Sequence, residues 1–141
     1  MRHSPRRRWT SLGIALALLA IAPSAAVAAN VELLNGRVRP VDHSAAGRAA
    51  VVQIDGRRRV LTLRDFRLAP GPLVRVYLVP RGVRRDGDVR RDFKDLGRLK
   101  GSRGNQQYTI PASVDLRRYR SVVFWCVPFT AILARSDLRR S

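Results

Sequence analysis

The sequence contains few of the side chains that bind metal ions or organic cofactors. Cys126 is the one cysteine among 141 residues, the histidines are His3 and His43, and the methionine is Met1. A blue-copper centre needs two histidines with its cysteine, and a structural zinc site needs four ligands. Covalent haem attachment needs two cysteines followed by a histidine. No glycine-rich phosphate loop opens a helix. We therefore identify no cofactor and predict no metal site.

The same shortages argue against most enzyme classes. Asp42, His43 and Ser44 are adjacent, so in an extended segment they point to alternate faces and cannot form a triad by themselves. A hydrolase would need His43 to meet another serine, and no motif marks one. The aspartates between positions 86 and 95 alternate with arginines, which would repel a calcium ion. The sequence favours a non-enzymatic domain, and we assign no catalytic residue.

The N-terminal segment, residues 1–29, has the pattern of a signal peptide. Arginines at positions 2 and 6–8 precede an apolar stretch at 12–22, which Pro23 interrupts. Small residues at 26–28 predict cleavage near 28–30, and no cysteine is present there for lipid attachment. The uncharged stretch 11–29 is also long enough for an uncleaved anchor. We expect an exported protein, secreted or held in the cell envelope, with a single domain over residues 30–141.

The predicted domain is strongly basic. The leader carries four arginines and no acidic residue, so 24 basic and 10 acidic residues remain, for a net charge of +14. Such a charge attracts anionic surfaces, whether an envelope polymer or a membrane. Aromatic residues make up only 6% of the chain, and none recurs at intervals through the basic segments. Specific binding of nucleic acid through stacked bases is therefore not predicted.

Short strand-like runs separated by turn residues fill the predicted domain. Hairpin turns are predicted at Asn35-Gly36, at Asp55-Gly56 and across residues 101–104. Residues 59–64 alternate apolar and polar side chains, whereas residues 121–127 are apolar on both faces. The charged segment 81–94 has no period and is predicted to be a surface loop. This pattern predicts an all-β fold, an antiparallel β-sandwich or a closed barrel of eight to nine short strands.

Several blocks, in this order, resemble the DM-thirteen domain, the electron-transfer domain associated with Skeletor-type proteins. They cover nearly all of residues 36–138, and the chain is identified as a single-domain, secreted form. The blocks are Gly36 with His43 and Gly47, then residues 61–66, 76–78, 104–111 and 119–126, and finally Phe129 with residues 137–138. The resemblance implies a redox or electron-transfer role centred on the cysteine. Since no second redox domain is present in the sequence, it also implies a separate redox partner protein.

Cys126 has three interpretations in a secreted protein: an inert buried thiol, a redox thiol, or an intermolecular disulfide. Its strand is apolar on both faces, which favours burial and a scarce thiolate. Its position at the strand end, before Pro128, favours access. His43 would activate the thiol if it lay within hydrogen-bonding distance. Trp125 and Tyr108 are further supporting candidates, though both residue types also serve as core aromatics with a polar group.

A second function from another class remains open. A structural or ligand-binding β module of the cell envelope would use the basic charge to hold an anionic surface and would need no reactive thiol. The two functions differ in what they require of Cys126. An accessible thiol indicates redox chemistry, and a thiol that reacts only in denaturant indicates the structural module.

Overall fold

The computed structural model describes Gly13, residues 20–26 and residues 28–141. Most of the predicted signal peptide, and with it the question of cleavage or anchoring, lies outside these residues. Within the described ranges, no helix is long and apolar enough to cross a membrane.

The described chain forms two antiparallel five-stranded sheets that pack face to face as a sandwich. The predicted all-β class is confirmed, and the sandwich, not the closed barrel, is the architecture. The strands and one helical turn are β1 (Val31–Arg37), β2 (Arg39–Pro40), β3 (Ala45–Ile54), β4 (Arg58–Leu68), β5 (Val74–Pro80), α1 (Asp86–Val89), β6 (Lys94–Arg98), β7 (Arg103–Ile110), β8 (Tyr119–Cys126), β9 (Ala131–Asp137) and β10 (Arg139–Arg140). Sheet A has the order β10-β1-β3-β4-β7, and sheet B the order β2-β9-β8-β5-β6. Ten strands occur in the described residues, more than the eight or nine expected, because β2 and β10 are pairs of residues too short to read from a sequence.

One of the three predicted hairpin turns is confirmed. Asp55 and Gly56 both have positive φ angles, 51° and 68°, and join β3 to β4 in sheet A. The backbone N–H of Arg57 donates to the carbonyl oxygen of Ile54 at 3.1 Å, so Asp55 and Gly56 are the central residues of a tight turn that requires such angles. Arg57 completes a three-residue loop between the paired Ile54 and Arg58. The Asp-Gly dipeptide between two apolar runs was therefore sufficient to predict this hairpin, because the turn depends only on the backbone angles of its own residues.

The other two predicted hairpins are wrong. Asn35 and Gly36 lie inside β1, paired with Ala50 and Ala49 of β3. A Cβ on Gly36 would lie 2.2 Å from the carbonyl oxygen of Asp137, so glycine is needed here for close approach of β9 and not for a turn. At the third position, residues 99–102 cross from β6 in sheet B to β7 in sheet A, and residues 103–104 already belong to β7.

The main core fills the space between the sheets. Leu61, Leu63 and Phe66 of sheet A are fully buried against Val122 and Phe124 of sheet B. The rings of Phe66 and Phe124 have centroids 4.8 Å apart, a separation at which tilted aromatic rings attract one another. The alternation predicted for residues 59–64 is not reflected in their burial. Leu61 and Leu63 face the core between the sheets, but Val60 and Thr62 on the other face of β4 are buried as well.

Sheet B is covered on its outer face as well. Tyr77, Val123, Trp125 and Ile132 form a second apolar cluster with Val89 of α1. The segment 81–94, predicted as a surface loop, therefore contains a helical turn whose Val89 is fully buried. Asp86 accepts a hydrogen bond from the backbone N–H of Ile132 at 2.9 Å. Burial of both faces explains why β8 is apolar throughout.

Asp137 joins three side chains where β9 ends. Ser121 donates to its Oδ1 at 2.8 Å, Arg84 donates to Oδ1 at 3.2 Å, and Arg135 donates to Oδ2 at 2.5 Å. Burial by itself would raise the pKa of Asp137. The hydrogen bonds from Ser121 and Arg135 and the charges of Arg135 and Arg84 outweigh burial, so its pKa lies below the ordinary value.

This depressed pKa predicts a loss of stability in acid. A carboxyl whose pKa is lower in the folded state stabilises the fold above its unfolded pKa of about 4, and it loses that contribution as pH falls through the folded pKa. We expect Asp137→Asn to be less stable than the wild type at neutral pH, and the difference between them to shrink below about pH 4. Urea unfolding midpoints across this pH range measure it. A difference that is constant with pH would contradict the assignment.

Candidate redox site

Cys126 is the last residue of β8, between Val74 of β5 and Ala131 of β9. It is fully buried, and its S–H donates to the carbonyl oxygen of Pro72 at 3.3 Å. Pro128, which cannot donate to a ladder, follows within two residues and helps end the strand. The thiol is therefore enclosed by protein yet adjoins the turn that links β8 to β9.

Two exposed turns lie beside the thiol. One contains Pro72 and Leu73, and the other contains Pro128 and Phe129. The backbone N–H of Val127 donates to the carbonyl oxygen of Leu73 at 3.2 Å, which joins the two turns. Leu73 has a positive φ of 44°, which is uncommon for a side chain of this kind. Phe129 is 70% exposed and Leu73 is 41% exposed, so this end of the sandwich has an apolar surface.

Trp125 occupies the opposite face of β8 from Cys126. Its ring stacks on Tyr77, with centroids 6.1 Å apart, and Tyr77 stacks on Phe93, with centroids 4.4 Å apart. Trp125 and Tyr77 are buried, whereas Phe93 is 39% exposed. The three residues, the aromatic stack, thus extend from the residue next to Cys126 to the protein surface.

Tyr77 and Phe93 were not among the sequence-based candidates. Their approach to Trp125 depends on the pairing of β5 with β8 and on the packing of segment 81–94, neither of which has a local signal. Burial raises the pKa of Tyr77, the Asp95 carboxylate raises it further, and Arg75 opposes them. The Tyr77 phenol therefore stays protonated at neutral pH.

His43 lies beside Gly71 and forms no hydrogen bond with Cys126. Its backbone N–H donates to the carbonyl of Leu133 at 3.0 Å. A Cβ on Gly71 would lie 3.7 Å from His43 Nε2, so the imidazole adjoins the Gly71-Pro72 segment whose Pro72 carbonyl accepts from Cys126. The Nδ1 atom of His43 is buried and has no hydrogen-bond partner among the described residues. Activation of the thiol by His43 would require a hydrogen bond between the two side chains, and no such hydrogen bond occurs among the described residues.

Tyr108 lies in β7, in the opposite sheet from Cys126. Its hydroxyl accepts from the backbone N–H of Lys100 at 2.9 Å and donates to Gln106 Oε1 at 2.6 Å. Burial raises its pKa, and the hydrogen bond from Lys100 only partly offsets this. These contacts anchor the crossover between β6 and β7.

No cluster of three or more histidine, cysteine or acidic side chains suited to a metal ion occurs among the described residues. The aspartates of segment 86–95 have other partners: Asp88 pairs with Arg91, Asp92 with Arg118, and Asp95 with Arg75. The chemistry that this arrangement supports is therefore that of a buried thiol beside stacked aromatic rings.

A family model described as Electron transfer DM13 matches residues 38–135. The match covers well over half of the chain and includes His43, Tyr108, Trp125 and Cys126. Comparison with curated proteins and with solved structures finds no significant match. The order of sequence blocks, the β-sandwich and the family model agree, and the chain belongs to the family of DM13 electron transfer domains.

Proposed function

We propose that this domain transfers single electrons, with Cys126 as its redox group and a separate redox protein as its partner. The family description supports a redox role. Cys126 and Met1 are the sulfur-containing residues of the sequence. The observation that carries the proposal is the aromatic stack, because it provides a line of polarisable rings from the residue beside Cys126 to the exposed Phe93.

Burial of Cys126 favours electron transfer over thiol–disulfide exchange. Exchange requires a thiolate to attack a disulfide sulfur directly, and the fully buried Sγ presents no surface for that contact. An electron needs no such contact, since it can cross a thin layer of protein. A path of stacked rings shortens the gaps that the electron must cross.

The proposed step balances with one electron and one proton. The Cys126 S–H bond breaks, and the sulfur is oxidised to a thiyl radical. The electron passes along the aromatic stack to a one-electron acceptor, a redox centre in the partner protein. The proton passes to the imidazole of His43, which adjoins the Gly71-Pro72 segment whose Pro72 carbonyl accepts from the Cys126 S–H. Return of an electron and the proton restores the thiol.

We further propose that this exchange takes place outside the cytoplasm. The arginines, apolar stretch and small residues of positions 1–29 support export. A solitary thiol in an oxidising compartment is exposed to disulfide formation with other chains. Complete burial protects Cys126 from that reaction, which suits a redox group outside the cell.

Anaerobic titration of the wild-type protein tests the proposal. Small-molecule one-electron oxidants of increasing potential, ending with hexachloroiridate(IV), are added while the thiol is counted in denaturant before and after. We expect the thiol to disappear as a single electron per chain is removed. Consumption of oxidant with the thiol count unchanged would end the proposal and leave Cys126 as a structural thiol.

The same titration, followed in time, tests the aromatic stack. Phe93→Ala removes the exposed ring at the end of the stack, and we expect oxidation of Cys126 to slow several-fold while its stoichiometry is kept. Val31→Ala, which truncates an exposed apolar side chain of β1 in the opposite sheet, is the control and should oxidise at the wild-type rate. Equal rates for both variants would show that electrons reach Cys126 by another path.

A further inference from the structure

Three arginines form a row across the outer face of sheet A, which is the sheet remote from Cys126. Arg37 of β1 lies directly opposite Arg48 of β3, and Arg48 lies directly opposite Arg64 of β4. Directly paired residues in antiparallel strands point to the same face. Since neighbouring strands lie about 4.8 Å apart, the three side chains begin within roughly 10 Å of one another. All three are exposed, and together they are called the arginine row.

No carboxylate neutralises the arginine row. Among the described residues, none of its three members forms an ion pair, although five of the ten acidic residues pair with other arginines. Like charges placed directly opposite each other on a sheet are destabilising. The native fold therefore retains electrostatic repulsion in two neighbouring arginine pairs. A bound anion would replace this repulsion with attraction.

The cleft at one end of the row extends the positive surface. It has a volume of about 470 Å³, and its lining includes Arg37 and Arg48 of the row together with Arg39, Arg139 and Asp137. Asp137 is already bound by Arg84 and Arg135. The cleft therefore offers four guanidinium groups to an anion.

Hydrogen bonds orient Arg48, the middle member of the row. Its Nη2 donates to Asn35 Oδ1 at 3.2 Å. The amide of Asn35 is itself fixed, since Nδ2 donates to Glu32 Oε1 and to Ser141 Oγ, each at 2.8 Å. A guanidinium held in this way loses less conformational entropy when it binds a carboxylate or phosphate.

We propose that the arginine row and its cleft bind a linear polyanion that carries carboxylate or phosphate groups along an extended chain. Arginine binds both groups with paired, charge-assisted hydrogen bonds. Successive groups on one chain engage the three arginines and the cleft together, which raises the affinity by effective concentration. A straight strip of cations across flat strands fits an extended polymer.

The neighbours of the row favour a polymer over a membrane or nucleic acid. The next row on the same face contains Asn35, Ala50, Thr62 and Gln107, none of which inserts into a bilayer or stacks on a base. Among the described residues, the exposed large apolar side chains lie elsewhere; they are Ile21, Val31, Val41, Leu73, Phe93 and Phe129. Membrane helices and single-strand binders rely on such groups.

A charge-matched pair of triple variants tests this proposal. The row variant is Arg37→Gln, Arg48→Gln, Arg64→Gln. The control variant is Arg57→Gln, Arg85→Gln, Arg90→Gln, which removes the same charge from three exposed arginines outside the row. Binding is measured at fixed salt to polygalacturonate, a polycarboxylate, and to inorganic polyphosphate, and also to phosphatidylglycerol vesicles and to single-stranded DNA. The thermal unfolding midpoint of each variant is recorded to show that it is folded.

We expect the row variant to bind at least one of the two polymers roughly tenfold or more weakly than the control variant, as loss of a single charge-assisted hydrogen bond can produce. Weaker binding of polygalacturonate would identify carboxylate as the group that the arginine row binds, and weaker binding of polyphosphate would identify phosphate. Equal weakening in both variants would overturn the proposal, because it would mean attraction by net charge alone. A loss seen only with phosphatidylglycerol vesicles, or only with single-stranded DNA, would overturn it in favour of a membrane or nucleic-acid surface.

Discussion

Replacement of Cys126 by serine is expected to abolish one-electron oxidation of the folded protein. A hydroxyl is far harder to oxidise than a thiol, yet it is smaller and can still donate to the Pro72 carbonyl that accepts from Cys126. Placing a hydroxyl in this fully buried position should destabilise the fold by about 1–3 kcal/mol. Anaerobic oxidant titration, with urea unfolding of the same sample, measures both effects.

The comparison of activity with stability separates a redox thiol from a structural one. A redox Cys126 predicts that the serine variant takes up no oxidising equivalents even under conditions where it is completely folded. His43→Ala should slow the oxidation without abolishing it, since the imidazole accepts the proton and carries no electron. A serine variant that is destabilised but remains fully oxidisable would show that Cys126 contributes only to packing.

Phe124→Ala is expected to produce the largest loss of stability, about 3–5 kcal/mol. Phe124 is fully buried between the sheets and its ring contacts that of Phe66. Truncation removes its transfer free energy and leaves a cavity, because neighbours on paired strands cannot move in to fill it. Urea unfolding monitored by Trp125 fluorescence gives the difference in free energy of unfolding.

Phe129→Ala serves as the control for this substitution. It makes the same chemical change five residues later, at a ring that is 70% exposed, and surface substitutions of this kind usually change stability by less than about 0.5 kcal/mol. Similar losses for the two variants would mean that the buried contact between the sheets is not what holds them together.

The local turn and strand patterns were sufficient for the fold class. Asp55-Gly56 specifies a tight turn because its two residues tolerate positive φ, and that requirement involves no distant residue. The continuous apolar run of β8 likewise indicated a strand buried on both faces. Cys126 was identified as a candidate simply because the chain has a single cysteine.

The same kind of pattern failed where a glycine serves a distant contact. Asn35-Gly36 has the composition of a turn, but Gly36 is required by the approach of the Asp137 backbone, about a hundred positions away. The turn predicted at residues 101–104 likewise falls where the chain crosses from one sheet to the other, because β6 pairs with β5 and β7 with β4. Local composition indicates which backbone angles are favourable, but it does not indicate which strands pair with each other.

The sequence by itself determined the residue types: one thiol, one histidine within residues 30–141, and an excess of arginine over acid. Only the tertiary structure decided how they are placed. It buried Cys126 against Pro72, stacked Tyr77 between Trp125 and Phe93, and aligned three arginines across sheet A. Each of these placements depends on strand register and on packing between segments far apart in the chain, and neither is encoded in the order of neighbouring residues.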